Sequence, residues 1–380
     1  MMKNIRIRES IAKLETYHVE NTDAEIVVNA NESNLPLPQQ VLQKLEKQMQ
    51  TFAFNRYPQI QAENLCTQLA KSFNLQAENV IIGNGSSELL RIVCQVFGGS
   101  GRKIMVPIPS FSMYGVYVQL SESEVYPYYL DDRGYIDKDA LLKTAAEVKP
   151  DLLILCNPNN PTGNYNDLAD IAAIVAAVDC PVVIDEAYIE FAGKNSAVSL
   201  LQEYDNIICL RTFSKAYGLA GMRCGYGLGA EELIKALKKA MLPYGVNAYT
   251  MMTAGAVYSY RELYAARISE TVTMREELAE CLRQLGFNVY PSVTNFVTFY
   301  ADGSMAAKMS EKYKKIYGKD LQDDRMNSGK FIFEKLKEAG ILVRDYSTNK
   351  NLRGCLRISM GLPQENKRIM DVMRDLCEDV

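Results

Sequence analysis

The stretch Asp151–Tyr188, "DLLILCNPNNPTGNYNDLADIAAIVAAVDCPVVIDEAY", holds two apolar runs separated by a segment of helical period. "DLLILCNP" (151–158) and "CPVVIDEAY" (180–188) are short, continuous and rich in Val, Ile and Leu, the pattern of strands covered on both faces. "DLADIAAIVAAV" (167–178) has the length and spacing of a helix. Strand, helix and strand in that order predict a parallel pair joined by a crossover. Working outward, "NVIIGNG" (79–85), "RKIMVP" (102–107), "NIICLRTFS" (206–214) and "MRCGYGLG" (222–229) read as further buried strands. "SSELLRIVCQVF" (86–97) and "DKDALLKTAAEV" (137–148) read as helices. The expected fold class is α/β, a mostly parallel sheet flanked by helices, with ligands outside the carboxyl ends of the strands.

After about residue 230 the pattern changes. "EELIKALKKAMLP" and 251–285 are helical in period, the latter a connecting-helix candidate. "FNVYPSVTNFVTFY" (287–300), "GILVRDY" (340–346) and "GCLRISMG" (354–361) alternate like strands of a smaller α+β part, closed by a C-terminal helix. The charged segment 301–330 is read as a surface insertion, partly helical. The expected division is a large domain over 45–255 and a small one made of 1–44 and 256–380.

Composition narrows the function. Of 380 residues, 48% are hydrophobic and 23% charged, an ordinary globular balance. A net charge of −4 gives no electrostatic reason to expect nucleic acid as partner. No apolar run approaches the ~20 residues of a membrane helix, so a cytoplasmic location is expected. Nine scattered cysteines without a C-x-x-C pair suit free, buried thiols. The single histidine, His18, excludes a His-based metal cluster and makes a Ser-His-Asp triad improbable. No metal is expected.

Chemistry-bearing residues cluster where strands end. "GNGSSELL" sets Gly85, Ser86 and Ser87 at a strand-to-helix junction, which reads either as a phosphate cradle or as a tight turn with a serine cap. "PSFSMYG" offers Phe111 and Tyr114, which could stack on a flat ring, although such residues are more often core. "NPNNPTG" makes a double Asn-Pro turn whose Asn160 could donate to a ligand oxygen. "VVIDEAY" ends a buried strand on Asp185, costly to desolvate unless it meets a cation such as a protonated ring nitrogen or an arginine. In "RTFSKAYGLAGMRCGY" (211–226), Lys215 sits among apolar and glycine residues, where burial disfavours the ammonium and frees a nucleophilic amine. Arg223 could neutralise a phosphate. Together these are the parts that pyridoxal 5'-phosphate requires.

These motifs, with "RYPQIQAENLCTQLA", "GFNVYPSVTNFV", "GILVRDY" and "LRISMGLPQEN", run along most of the chain. The chain resembles the fold-type I, class I/II pyridoxal-phosphate aminotransferases and, within them, the members acting on histidinol phosphate. The resemblance implies that Lys215 is the Schiff-base lysine and proton shuttle and that Asp185 holds the ring nitrogen protonated. It implies that Asn160 and Tyr188 hydrogen-bond the cofactor O3', that Tyr114 stacks on the ring, and that Gly85, Ser86, Ser87, Ser214 and Arg223 bind the phosphate. Tyr57 resembles the tyrosine that reaches the neighbouring subunit's cofactor, so a homodimer is implied. Arg357 resembles the clamp for the substrate carboxylate; Tyr17, Asn31 and Arg344 match substrate-side positions. The implied reactants are a small-molecule amino donor, L-histidinol phosphate, and a 2-oxo acid, 2-oxoglutarate.

The chain also departs from that pattern. The N-terminal Asn-Glu-Asn-Pro motif reads "NESNLPLP", Thr16 stands where a proline is usual, and 301–330 is long. "LPYGVNAYT" (242–250) is similar to threonine-phosphate decarboxylases. A decarboxylase, or an aminotransferase for another, aromatic amino acid, is the alternative expectation.

Overall fold

The computed structural model describes residues 7–12, 14, 16, 23–60 and 62–378. Its strands, in chain order, are β1 (Ile26–Val27), β2 (Val80–Gly83), β3 (Lys103–Ile108), β4 (Glu124–Tyr129), β5 (Leu152–Cys156), β6 (Val182–Asp185), β7 (Ile207–Thr212), β8 (Gly225–Gly229), β9 (Asn288–Val289), β10 (Phe296–Tyr300), β11 (Ile341–Leu342), β12 (Arg344–Asp345) and β13 (Leu356–Ser359). Strands β2 to β8 form one seven-stranded sheet in the order β2-β8-β7-β6-β5-β3-β4. Every pair from β7 to β4 is parallel. The strand runs are continuously apolar because successive side chains enter opposite cores. Leu153, Leu155, Val182 and Ile184 go to one face, while Leu152, Ile154, Val183 and Ile208 go to the other.

Strand β8 runs antiparallel to both neighbours, β7 and β2. A parallel return needs a crossover of about a dozen residues or more, usually a helix. Residues 213–224 carry only the short 3-10 turn Ala220–Met222. The chain therefore doubles straight back, which returns Arg223 to the end of β7 it has just left.

A smaller antiparallel sheet, β12-β13-β10-β9, and the pair β1-β11 build the second core with helices. Segment 301–330 is no surface insertion. It lies in two helices, Gly303–Tyr317 and Asp324–Glu338, whose Ala306, Met309, Tyr313, Phe331, Ile332 and Leu336 join that core. In the first helix they recur at three- and four-residue spacing, but in both they are hidden in sequence among lysines and acids. The expected connecting helix over 251–285 is interrupted: helix Ala248–Ser259 ends, a 3-10 turn follows, and helix Tyr264–Gln284 begins anew. Strand β4, "EVYPYY", was not anticipated. Its Pro127 is tolerated because β4 is an edge strand. No helix of the described residues is long and apolar enough to cross a membrane.

Candidate active site

The chain order of the large sheet reverses at β3 and β5, and the loops beyond the carboxyl ends there and on β6 and β7 surround a deep cavity. Phe111, Tyr114, Asn160, Asp185, Tyr188 and Lys215 line it, joined from the small sheet by Arg344 and Arg357.

One wall is a candidate anion cradle. In register, Gly83 of β2 pairs with Gly225 of β8, which pairs with Thr212 of β7. This row sets the loop after β2 beside Ser214 and Arg223. The helix Ser86–Phe97 starts there, with no side chain capping it, so its first N–H groups point outward with the positive end of the helix dipole. A Cβ on Gly225 would lie 2.2 Å from the Ser86 nitrogen. A Cβ on Gly85, whose φ is +80°, would lie 2.5 Å from Arg223 Nη2. Both glycines are required by close approach. Arg223 Nη1 reaches Ser214 Oγ at 3.5 Å and the Ala220 carbonyl at 3.1 Å. Among the described residues it has no carboxylate partner. A helix end, hydroxyls and an uncompensated guanidinium are the groups that a phosphate would need.

Opposite stands a buried acid. Asp185, 5% exposed, accepts from Tyr114 Oη at 2.8 Å and from the Ala187 amide at 3.2 Å. Burial raises its pKa to about 6, although both hydrogen bonds and Lys215 pull it down. Tyr114 does not take the stacking place expected of it. Its hydroxyl is committed to Asp185 and its ring is 1% exposed. Phe111 meets that ring edge-on at 5.5 Å and is a half-buried aromatic on the cavity wall. "PSFSMY" displayed both aromatics, and nothing in the sequence could rank them.

Lys215 Nζ donates to the Ala30 carbonyl at 2.9 Å. Burial foremost, then the Arg357 guanidinium, lowers its pKa to about 8. Tyr188 packs at right angles to Phe296, and its hydroxyl oxygen accepts the Asn31 amide at 3.0 Å and the Asn160 amide at 3.3 Å. Burial pushes its own pKa well up. Asn31, expected against substrate, thus lines the cavity with its amide on Tyr188.

The third wall is cationic. Arg357 Nη1 donates to Asn160 Oδ1 and to Tyr346 Oη at 3.2 Å, and Nη2 donates to the Asn29 carbonyl at 2.8 Å. Its Nε is buried without a partner. Arg344 pairs with Arg357 in the β12–β13 register and has no carboxylate partner among the described residues. Sequence reasoning missed Tyr346, Asn29 and Ala30. Tyr346 stood in "GILVRDY"; the other two act through carbonyls, which carry no residue signal. Tyr57 does not line this cavity. It is 81% exposed and stacks on Tyr244 at 4.5 Å. Tyr17 lies outside the described residues.

The donor set fits pyridoxal 5'-phosphate: an uncompensated arginine at a helix end, a buried acid, and an amine of lowered pKa in one cavity. The family model described as aminotransferase class I and II matches residues 25–372. A histidinol-phosphate aminotransferase of Ruminiclostridium cellulolyticum is 32% identical over 376 residues, covering 98% of each chain. A structure of the histidinol-phosphate aminotransferase from Sinorhizobium meliloti, in complex with pyridoxal-5'-phosphate, superposes with a TM-score of 0.83 at 23% identity over 98% of each chain. The L-threonine-O-3-phosphate decarboxylase from Porphyromonas gingivalis shares the fold at a TM-score of 0.74 and 23% identity, over 93% of this chain and 99% of that one. The chain belongs to the class I and II aminotransferase family and is a pyridoxal-phosphate-dependent enzyme of that fold.

Proposed function

We propose that the amino donor is L-histidinol phosphate and the acceptor 2-oxoglutarate, giving imidazole acetol phosphate and glutamate. The supporting observation is the pair Arg344 and Arg357, adjacent across β12 and β13 and both on the cavity that holds Lys215. In a two-stage transfer one pocket receives both reactants in turn. One brings a phosphate and the other two carboxylates, and each anion suits a guanidinium without a counter-ion. Full-length relatives named histidinol-phosphate aminotransferase support the same reading.

Pyridoxal phosphate, when bound, supplies an electron sink for the reacting amino acid. The chain's residues do the rest. The helix 86–97 amides with Gly85, Ser86, Ser87, Ser214 and Arg223 hold the phosphate. Phe111 would cover the ring, and Asp185 would hold a proton at its nitrogen. Tyr188 and Asn160 donate to the ring oxygen. Lys215 Nζ, titrating near 8, takes the proton from the donor's α-carbon and later returns one to the acceptor's. Arg357 grips the acceptor carboxylate with its guanidinium.

The proposed active unit is a homodimer in the cytoplasm. Phe54, Tyr57 and Ile60 are 73%, 81% and 57% exposed, and Leu242 is 65% exposed. This is apolar area that a second copy would cover, and it would carry Tyr57 toward the partner's phosphate cradle. All nine cysteines are thiols, eight of them buried, which suits a reducing compartment. Purified protein with L-histidinol phosphate and 2-oxoglutarate should yield glutamate. Carbon dioxide released from threonine phosphate instead would replace this reading with the decarboxylase.

A further inference from the structure

Residues 28–31 run from the small core into the cavity and touch three of its groups in succession. Val28 is tied down on both sides: its N–H donates to the Leu342 carbonyl at 2.9 Å, and its carbonyl accepts from Ser359 at 3.0 Å. Next, the Asn29 carbonyl holds Arg357, the Ala30 carbonyl holds Lys215, and the Asn31 amide donates to Tyr188 Oη. Asn31 is 1% exposed and left-handed, with φ at +55°, a conformation that asparagine tolerates better than most residues. Asn295 Nδ2 holds its carbonyl at 3.2 Å. Its own Oδ1 is buried with no partner. Asn31 Nδ2 is the atom that meets Tyr188, donating to its Oη at 3.0 Å.

That bond has a consequence for the Tyr188 proton. The phenol oxygen accepts two amides, from Asn31 and Asn160. With its lone pairs occupied, the O–H is the single hydrogen bond left to make, and both amides polarise it toward stronger donation. We propose that Asn31 is a positioning residue of this active site, acting with Asn160 to turn the Tyr188 O–H into the cavity, onto the cofactor's ring oxygen. The inference rests on the cofactor reading above and goes beyond it: a residue near the start of the chain acts through Tyr188.

The substitution Asn31→Asp separates this from a structural role. Aspartate has the same shape and tolerates the same backbone, so a structural role survives it. A carboxylate only accepts. It would draw the Tyr188 proton to itself and away from the cavity. Apoprotein titrated with pyridoxal phosphate should show affinity about tenfold weaker in Asn31→Asp. The visible band of the loaded protein should titrate at higher pH, because the ring oxygen, no longer donated to, leaves the Lys215 nitrogen holding its proton longer. Asn31→Gly keeps the left-handed backbone and loses only the donor, so its loss should be smaller, about threefold. It carries the test if the aspartate variant does not fold. In a Tyr188→Phe background neither substitution should have a further effect. The other charged or titratable groups acting on that hydroxyl, Arg357, Cys156 and Asp185, are retained in every variant, as is Lys215 over its ring. If Asn31→Asp binds the cofactor and titrates like the unmodified chain, or if the losses persist undiminished in the Tyr188→Phe background, the inference is wrong. If the unmodified chain binds no pyridoxal phosphate, it is the cofactor reading that has failed.

Discussion

Arg344 and Arg357 stand opposite each other on paired antiparallel strands, and the ring of Tyr346 lies 5.7 Å from the guanidinium carbon of each. Two like charges that close repel unless anions share the site. The Tyr346 ring beside both guanidinia and the Tyr346 hydroxyl on Arg357 help to hold them in place.

The two arginines should therefore separate by substrate. Arg357→Lys removes the planar fork and should raise KM for the 2-oxo acid by about tenfold or more, the loss expected of a charge-assisted pair worth ~1.5–3 kcal/mol. Arg344→Ala should instead raise KM for the phosphorylated donor. Steady-state kinetics of each half-reaction decides this; equal effects on both reactants would refute the division of labour.

Lys215 should be reactive near neutral pH. Its amine, lowered to about 8, is uncharged over a range where an ordinary lysine is fully protonated. The rate at which the apoprotein is captured at Lys215 by an aldehyde and borohydride should rise with pH around a midpoint near 8. A midpoint near 10.5 would show that the ammonium is not desolvated. Lys215→Ala should abolish transamination.

Asp185 should cost the apoprotein stability at neutral pH. Its folded pKa, about 6, lies above the ordinary 3.8. The folded chain thus binds the proton more tightly, and this contribution, full below 3.8, is lost as pH rises through 6. About two pKa units correspond to roughly 2–3 kcal/mol. Asp185→Asn apoprotein should resist urea better than the unmodified chain at pH 7, by up to that amount, with the gain shrinking toward pH 4. The same variant should keep the cofactor and lose most of its rate. Equal unfolding midpoints at pH 7 would count against a desolvated acid.

The cradle can be tested without catalysis. Gly85→Ala places a Cβ 2.5 Å from Arg223 Nη2 in a backbone region that disfavours it. Affinity for pyridoxal phosphate should fall at least about tenfold, the scale of one lost charge-assisted contact. Affinity for pyridoxal, which lacks the phosphate, should barely move. A parallel loss for both would place the damage outside the cradle.

For the assembly, Phe54→Asp should convert a dimer to monomers in sedimentation, because it buries a charge without a partner. Tyr57→Phe should leave the dimer intact and weaken pyridoxal phosphate binding a few-fold, the loss of one hydrogen bond. A monomeric unmodified chain that is fully active would remove both the interface and the role given to Tyr57.

Local pattern carried the large sheet well. Runs such as "LLILC" and "VVID" are apolar throughout because each strand is covered on both faces, and the loops that follow them do converge on one cavity. Local pattern failed where burial was masked. Helices 303–317 and 324–338 bury a stripe of core residues beneath lysines and acids that dominate the composition of the segment. It failed again where one element ends inside a continuous helical period, as at Tyr260.

What the sequence by itself determined was the alternation of strands and helices, the order of the loop motifs, and so the family and the cofactor. Those properties reside in neighbouring residues, whose spacing sets which face is buried and which backbone can turn. What only the tertiary structure decided was the partner of each polar group. Tyr114 reaches Asp185 across 71 positions and Asn31 reaches Tyr188 across 157. A hydrogen bond is settled by which donor and acceptor the fold brings within about 3 Å once water is excluded, and no local pattern encodes that distance.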